Sequence, residues 1–276
     1  MTLSGSPSEG LLLVGHGSQS PRNAAEMREI AALVAAALPG VTVGLGSLEL
    51  SDPPAGRTLD ALAASGCDRV VVLPLVLLAA GHSKSDVPAL VLEGRARHPG
   101  VEIVFGRPLG LARELVDLLG GAIVRGGGGG RPFLLIGRGT SDPDANGDVH
   151  KACRLVGEFT GAPFVHTAFT GVTVPGVAQA LDVFDRLGYR EMAVAFWFLC
   201  HGRLVARTRL EIEAFARRTG CDVVDGGYLG AHRRIVPVIL EAYNGALGGA
   251  APAANCDLCA YRAPWPGLED RVGRPI

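Results

Sequence analysis

GHGSQSPRNAAEM, residues Gly15–Met27, and GRGTSDPDANGDV, residues Gly137–Val149, are two versions of one pattern set 122 positions apart. The stretch Leu181–Leu199 continues the match at the same offset, with Gly188 where the first half has Gly66. Self-similarity over most of each half means two copies of one structural unit, and it constrains every later assignment. What the unit is follows from the first copy. Apolar runs at Leu11–Val14, Val43–Leu50, Val70–Leu78 and Val101–Phe105 alternate with segments of helical period at Ala24–Leu38, Thr58–Ser65, Val87–Arg97 and Leu109–Leu119. That alternation is the pattern of βαβ units with a parallel sheet. The strands are continuously apolar, as expected where helices cover both faces.

The expected fold class is therefore α/β, two tandem, doubly wound, parallel-sheet domains. A run of glycines at 126–130 has little side chain to pack and much backbone entropy to lose, so the boundary is expected there. The expected division is 1–123 for the first domain, 124–132 for a glycine-rich linker and 133–247 for the second domain. A hinge from Gly245 to Ala254 leads into a C-terminal tail, 248–276.

Composition bounds the function. With 276 residues, 48% hydrophobic and 19% charged, the chain has ample apolar surface for folded domains. A formal charge of -1 supplies no global basic field, so neither nucleic acid nor a membrane is an expected partner. The longest uncharged apolar stretch, Val70–Ala80, falls well short of the about 18 residues of a membrane span and contains Pro74. The opening MTLSGSPSEG has no export-signal pattern, which makes the cytoplasm the expected compartment. Cys67, Cys153, Cys200 and Cys221 are scattered and read as packing residues. Oligomeric state, monomer or homodimer, is left open.

In a parallel α/β unit, ligands bind beyond the carboxyl ends of the strands. There the first copy carries Gly15-His16-Gly17-Ser18, then Glu49-Leu50-Ser51-Asp52-Pro53, then Gly81-His82-Ser83. His16, Glu49 and His82 are spaced by one βα repeat each, so they can meet on one rim. Two imidazoles and a carboxylate make a divalent-metal site for iron, cobalt, nickel or zinc. The second copy has Arg138 where the first has His16, residues near Thr170 where it has Glu49, and Gly202-Arg203-Leu204 near Gly81-His82-Ser83. One copy keeps the ligands and the other has lost them, with His201 a nearby substitute to be weighed.

These residues, together with PLVLLAAGHSKSD from Pro74 to Asp86, resemble the sirohydrochlorin chelatases, the class II chelatases of sirohaem and cobalamin synthesis, in their two-domain form. The resemblance covers nearly the whole chain. It implies a chelatase-like fold with the active site in the cleft between the domains. It also implies a lyase activity: insertion of a divalent metal into a sirohydrochlorin-type tetrapyrrole, with release of two protons and no nucleotide. His16 and His82 would then bind the metal and assist proton removal, and Glu49 would hold the ion or relay protons. Imidazole, with an unperturbed pKa of about 6.5, suits both tasks. Ser18, Ser51, Ser83, Arg22, Arg57, Lys84, Arg138 and Arg203 are the candidates for holding the substrate's carboxylates.

The metal itself could be Co2+, Fe2+ or Ni2+; the long form with a cysteine tail resembles the cobalt-linked members more, and iron comes next. Cys256 and Cys259 resemble the cysteine pair that some members associate with an iron-sulfur cluster. One pair supplies only half the thiolates a cluster needs, and the Met that precedes the pair in the family is absent, so free thiols or another metal are alternatives. Two other functions compete: a non-enzymatic metal or tetrapyrrole carrier, and a zinc hydrolase. The second lacks support, because neither HExxH nor a Gly-x-Ser-x-Gly elbow occurs.

Overall fold

The computed structural model describes residues 8–249; the Cys256–Cys259 pair lies outside them. The first copy runs β1 (Glu9–Gly15), α1 (Pro21–Ala37), β2 (Val41–Ser47), α2 (Ala55–Ala64), β3 (Arg69–Pro74), a π-helical turn at His82–Asp86, α3 (Val87–Arg97), β4 (Glu102–Phe105) and α4 (Arg113–Arg125). The second runs β5 (Phe133–Gly137), α5 (Pro143–Thr160), β6 (Val165–Phe169), α6 (Val177–Arg186), β7 (Glu191–Phe196), α7 (Arg203–Thr219), β8 (Asp222–Tyr228) and α8 (Val236–Leu247). Each copy makes a four-stranded parallel sheet, in the orders β2-β1-β3-β4 and β6-β5-β7-β8. The α/β tandem read from the sequence is the observed fold.

Local chemistry sets these elements. β1 and β3 are central and covered on both faces, and Leu11, Leu12, Leu13, Val70 and Val72 have no exposed surface. On one face of the first sheet, Leu12, Val14 and Val72 pack against Leu59 and Leu62 of α2 and Val91 of α3. The first helix of each copy begins in the same way. Ser20 Oγ accepts from the Asn23 amide at 3.4 Å with Pro21 next in the chain, and Asp142 accepts from the Asp144 amide at 3.1 Å with Pro143 next. A side-chain acceptor followed by Pro at the first helical position satisfies free amides without wasting a donor.

The two copies meet at 124–132, between α4 and β5, while the compact units are drawn differently. Among the described residues, one compact unit comprises 8–110 together with 235–249, and the other is Leu111–Arg234. The last helix of each copy is therefore exchanged. α4 closes the first copy in sequence, yet it packs with α5, β7 and β8; α8 packs with α1, β3 and β4. The glycines at 126–130 are a tight turn inside the second unit. The Gly128 amide bonds the Ile123 carbonyl at 2.9 Å, and a Cβ there would stand 2.8 Å from Ile123 and 3.1 Å from Ala193. Glycine is needed for close packing at that point, which the sequence reading took for flexibility.

Two sequence ranges also shorten. β2 stops at Ser47, which leaves Glu49 in the following loop, and β3 stops at Pro74, beyond which the chain turns toward His82. The four cysteines read as packing residues, Cys67, Cys153, Cys200 and Cys221, are buried and outside any disulfide. No helix among the described residues is long and apolar enough to cross a membrane.

α8 is fastened to the first unit by a polar link across the sheet. The Tyr243 hydroxyl, 2% exposed, donates to Glu9 Oε2 at 2.6 Å, and Arg107 pairs with Glu241 at 2.9 Å. Burial, then the bond to Glu9, pushes the Tyr243 phenol far above its ordinary range, so it stays a donor. Tyr243→Phe is expected to destabilise the first unit by about 1.5–3 kcal/mol, the range for a bond to a charged acceptor. The check is a lowered thermal unfolding midpoint.

Candidate functional site

The parallel register brings the carboxyl ends of β1, β2 and β3 to one edge, with Gly15 opposite Ser47 and Val14 opposite Pro74. Beyond that edge the first two loops are zipped together through their backbones. The Leu48 amide bonds the Gly15 carbonyl and the Glu49 amide bonds the His16 carbonyl, each at 3.0 Å. Gly17 has φ of 96°, and a Cβ on it would lie 1.7 Å from the Glu49 carbonyl oxygen. No side chain fits there, so the residue after His16 has to be glycine.

The second copy repeats this junction at the same offset. The Thr170 amide bonds the Gly137 carbonyl at 2.9 Å, and a Cβ on Gly139 would lie 2.0 Å from the Gly171 carbonyl oxygen. Leu50 and Val172, the next residues of the two second loops, both have positive φ, 57° and 69°. The backbone site is thus built twice, but its side chains are not. Arg138 stands for His16 and Gly171 for Glu49.

The third loop leaves β3 with the Leu75 amide bonded to the Val14 carbonyl at 2.7 Å. It reaches the π-helical turn HSKSD, which carries His82. The imidazoles of His16 and His82 meet with ring centroids 4.5 Å apart and planes inclined by 40°. Asp86 Oδ2 lies 2.6 Å from His82 Nδ1, so the carboxylate accepts from that nitrogen. The sequence reading did not single out Asp86, although its place four residues after His82 in one helical turn puts it within reach.

The other expected site residues occupy different settings. Glu49 is exposed, and no group of three His, Cys, Asp or Glu side chains able to hold a metal exists among the described residues. The close pair is His16 and His82; the backbone of Glu49 adjoins His16, but its carboxylate does not complete a third ligand. The serines mostly serve the loops. Ser51 Oγ accepts from the Ser18 amide and donates to the Ser18 carbonyl, both at 2.8 Å, and Ser18 Oγ accepts from the Ser20 amide at 3.1 Å. Ser83 Oγ donates to the Ala80 carbonyl and accepts from its amide, both at 3.1 Å, and Ser83 is buried. Lys84 is only 6% exposed. Arg22 is exposed and pairs with Glu26 at 3.2 Å. Arg57, at the start of α2, is exposed too, as are Arg138 and Arg203 of the second unit.

The hydrogen bonds of the third loop also fix the internal alignment. Lys84 to Ala80 in the first copy matches Ala206 to Gly202 in the second, again 122 positions apart. The counterpart of His82 is therefore Leu204, with no slippage, and the counterpart of His201 is Ala79. The His201 ring lies 6.0 Å from the Tyr228 ring in the second unit.

Fold and loops together define a tandem-repeat α/β protein in which, among the described residues, the first copy carries a pair of close imidazoles beyond the carboxyl edge of its sheet. The CbiX family model matches residues 10–125 and 132–246, and the chain belongs to that family. The sirohydrochlorin cobaltochelatase of Priestia megaterium is 31% identical over 261 residues, covering 92% of this chain and 85% of that protein. The sirohydrochlorin ferrochelatase of Bacillus subtilis (strain 168) is 26% identical over 241 residues, 84% of this chain and 90% of that protein. Among solved structures, SirB from Bacillus subtilis with Fe3+ superposes with a TM-score of 0.77 at 25% identity, covering 87% of this chain and 95% of that one.

The junction gives a direct test. Gly17→Ala must break the contact with the Glu49 carbonyl, whereas Gly66→Ala, at φ of 89° with nothing within 4 Å, meets only backbone strain. Gly66→Ala is expected to cost about 1–2 kcal/mol, and Gly17→Ala clearly more. Thermal unfolding of the two variants side by side is the check.

Proposed function

We propose that this chain is a sirohydrochlorin chelatase, inserting a divalent metal ion, cobalt first and iron next, into the macrocycle without a nucleotide. The observation that carries this reading is the His16–His82 pair, two ring centroids 4.5 Å apart on the carboxyl edge of the first sheet. Names of relatives supply the substrate class: cobaltochelatase and ferrochelatase both act on sirohydrochlorin.

Chemistry connects the pair to the reaction. A tetrapyrrole gives up two ring-nitrogen protons as the metal enters, so a chelatase has to present an ion it can release and bases that take protons. Imidazole nitrogens do both, and they hold a borderline metal less firmly than thiolates would. Glu49, exposed on the loop zipped to His16, is assigned to guiding the ion or carrying protons away from the ring. Arg22 and Arg57 of the first unit, and Arg138 and Arg203 of the second, are assigned to the substrate's carboxylates. The cytoplasm is the proposed compartment.

The test is single-turnover absorption spectroscopy with purified sirohydrochlorin and Co2+, Fe2+ or Ni2+ in turn. The expected outcome is a metal-dependent change in the tetrapyrrole bands, fastest with Co2+. Binding of the tetrapyrrole with no band change under any metal would instead assign the chain to carriage. His16→Ala and His82→Ala are expected to abolish insertion with the fold intact, and His201→Ala to have little effect; equal loss in all three would overturn the choice of site. A chain ending at Ala254 lacks Cys256 and Cys259, and it is expected to retain most insertion activity in the same assay.

A further inference from the structure

Asp86 is the last residue of the π-helical turn, with helical backbone angles, and precedes Val87, the first residue of α3; its carboxylate makes no bond to the α3 amides. It turns back to His82 instead, with Oδ2 2.6 Å from Nδ1. The two side chains are partly open to solvent, His82 at 30% and Asp86 at 52%, so the bond adds little to the stability of the fold. A short bond that adds so little to the fold points to a role at the His82 ring itself.

The second copy supplies an internal comparison. At the 122-residue offset His82 becomes Leu204 and Asp86 becomes Thr208. Thr208 is fully buried, and its hydroxyl has no hydrogen-bond partner. The π-helical turn spans His82 to Asp86 in the first copy, whereas the corresponding residues of the second form the regular first turns of α7. Three features are therefore absent together from the copy without the imidazole: the histidine, its carboxylate partner and the wide turn that presents them. π-Helical turns in proteins occur frequently at functional sites.

We infer that Asp86 is a positioning residue for metal delivery, fixing the His82 ring so that Nδ1 carries the proton and Nε2 offers its lone pair to the incoming ion. The reasoning rests on the chelatase reading of the His16–His82 pair. A carboxylate is an acceptor only, so the nitrogen facing it must donate, and the tautomer follows. The same bond limits rotation of the ring, which stands 4.5 Å from His16. An amide in place of the carboxylate can either donate or accept and so would not select the tautomer. Carboxylate partners of metal-binding imidazoles act in this way, and their loss typically weakens metal affinity or activity about ten- to a hundredfold.

The experiment uses the full chain with Asp86→Asn, Asp86→Ala and Asp86→Glu. Nitrogen-15 spectra of the metal-free protein, with the His82 signals identified by their loss in His82→Ala, report the tautomer directly. The wild type is expected to show the Nδ1–H form, and Asp86→Asn and Asp86→Ala a mixture. In the insertion assay these two variants are expected to raise the half-saturating Co2+ concentration about ten- to a hundredfold, with the KM for sirohydrochlorin and the thermal midpoint unchanged. Asp86→Glu, which keeps a carboxylate, is expected to recover part of the loss. In a His82→Ala background, adding Asp86→Asn is expected to leave Co2+ affinity where His82→Ala alone put it. An unchanged tautomer and unchanged Co2+ dependence in Asp86→Ala, or an equal further loss in the His82→Ala background, would overturn the inference. Normal insertion by His82→Ala would instead remove the chelatase site itself, so the two failures are distinguishable.

Discussion

The site depends on one close approach between backbones. Where the chain leaves β1 it passes so near the β2–α2 loop that Gly17 has no room for a side chain beside the Glu49 carbonyl. Two amide-to-carbonyl bonds and the doubly bonded Ser51 hydroxyl close the seam. These backbone bonds fix the place of His16 at the end of β1. The ring of His82 reaches it from the third strand because parallel strands deliver their carboxyl ends to one edge.

The second copy shows which parts belong to the scaffold and which to the chemistry. The seam, the positive φ of Leu50 and Val172, and the helix starts at Pro21 and Pro143 recur at one constant offset. The imidazoles, the carboxylate of Asp86 and the wide turn between them do not. Structural demands on the backbone were met in both halves, while side-chain chemistry persisted in one. That division is what a duplicated unit looks like when a single reactive centre suffices.

Much of this could be read before any coordinates, because the signals are local. Continuous apolar runs such as Leu11–Val14 mark buried parallel strands, and the glycine-flanked histidines mark the loops that follow β1 and β3. What was illegible depends on partners distant in sequence. An apolar helix such as α4 reads the same whichever sheet it covers, so its exchange with α8 left no trace in the pattern. The glycines at 126–130 signalled flexibility by composition, yet Ile123 and Ala193 pack against them. Ser18, Ser51 and Ser83 looked available because their bonds to backbone cannot be seen from residue type. Lys84 looked like a surface cation, but its depth follows from the fold of the third loop. Asp86 was overlooked because its importance lies in where it turns, toward His82 and away from the helix that follows it.

The exchanged helices bear on how such a protein could have arisen. A chain of half this length would present a sheet face lacking its α8 and a terminal helix lacking its sheet. Two identical half-chains would cure both defects by trading helices. Joining them end to end makes the trade internal and independent of concentration, and it also ends the requirement that the partners be identical. Covalent linkage of this kind would have released one half from the chemistry, to drift toward Leu204 and Thr208, while the other kept its histidines.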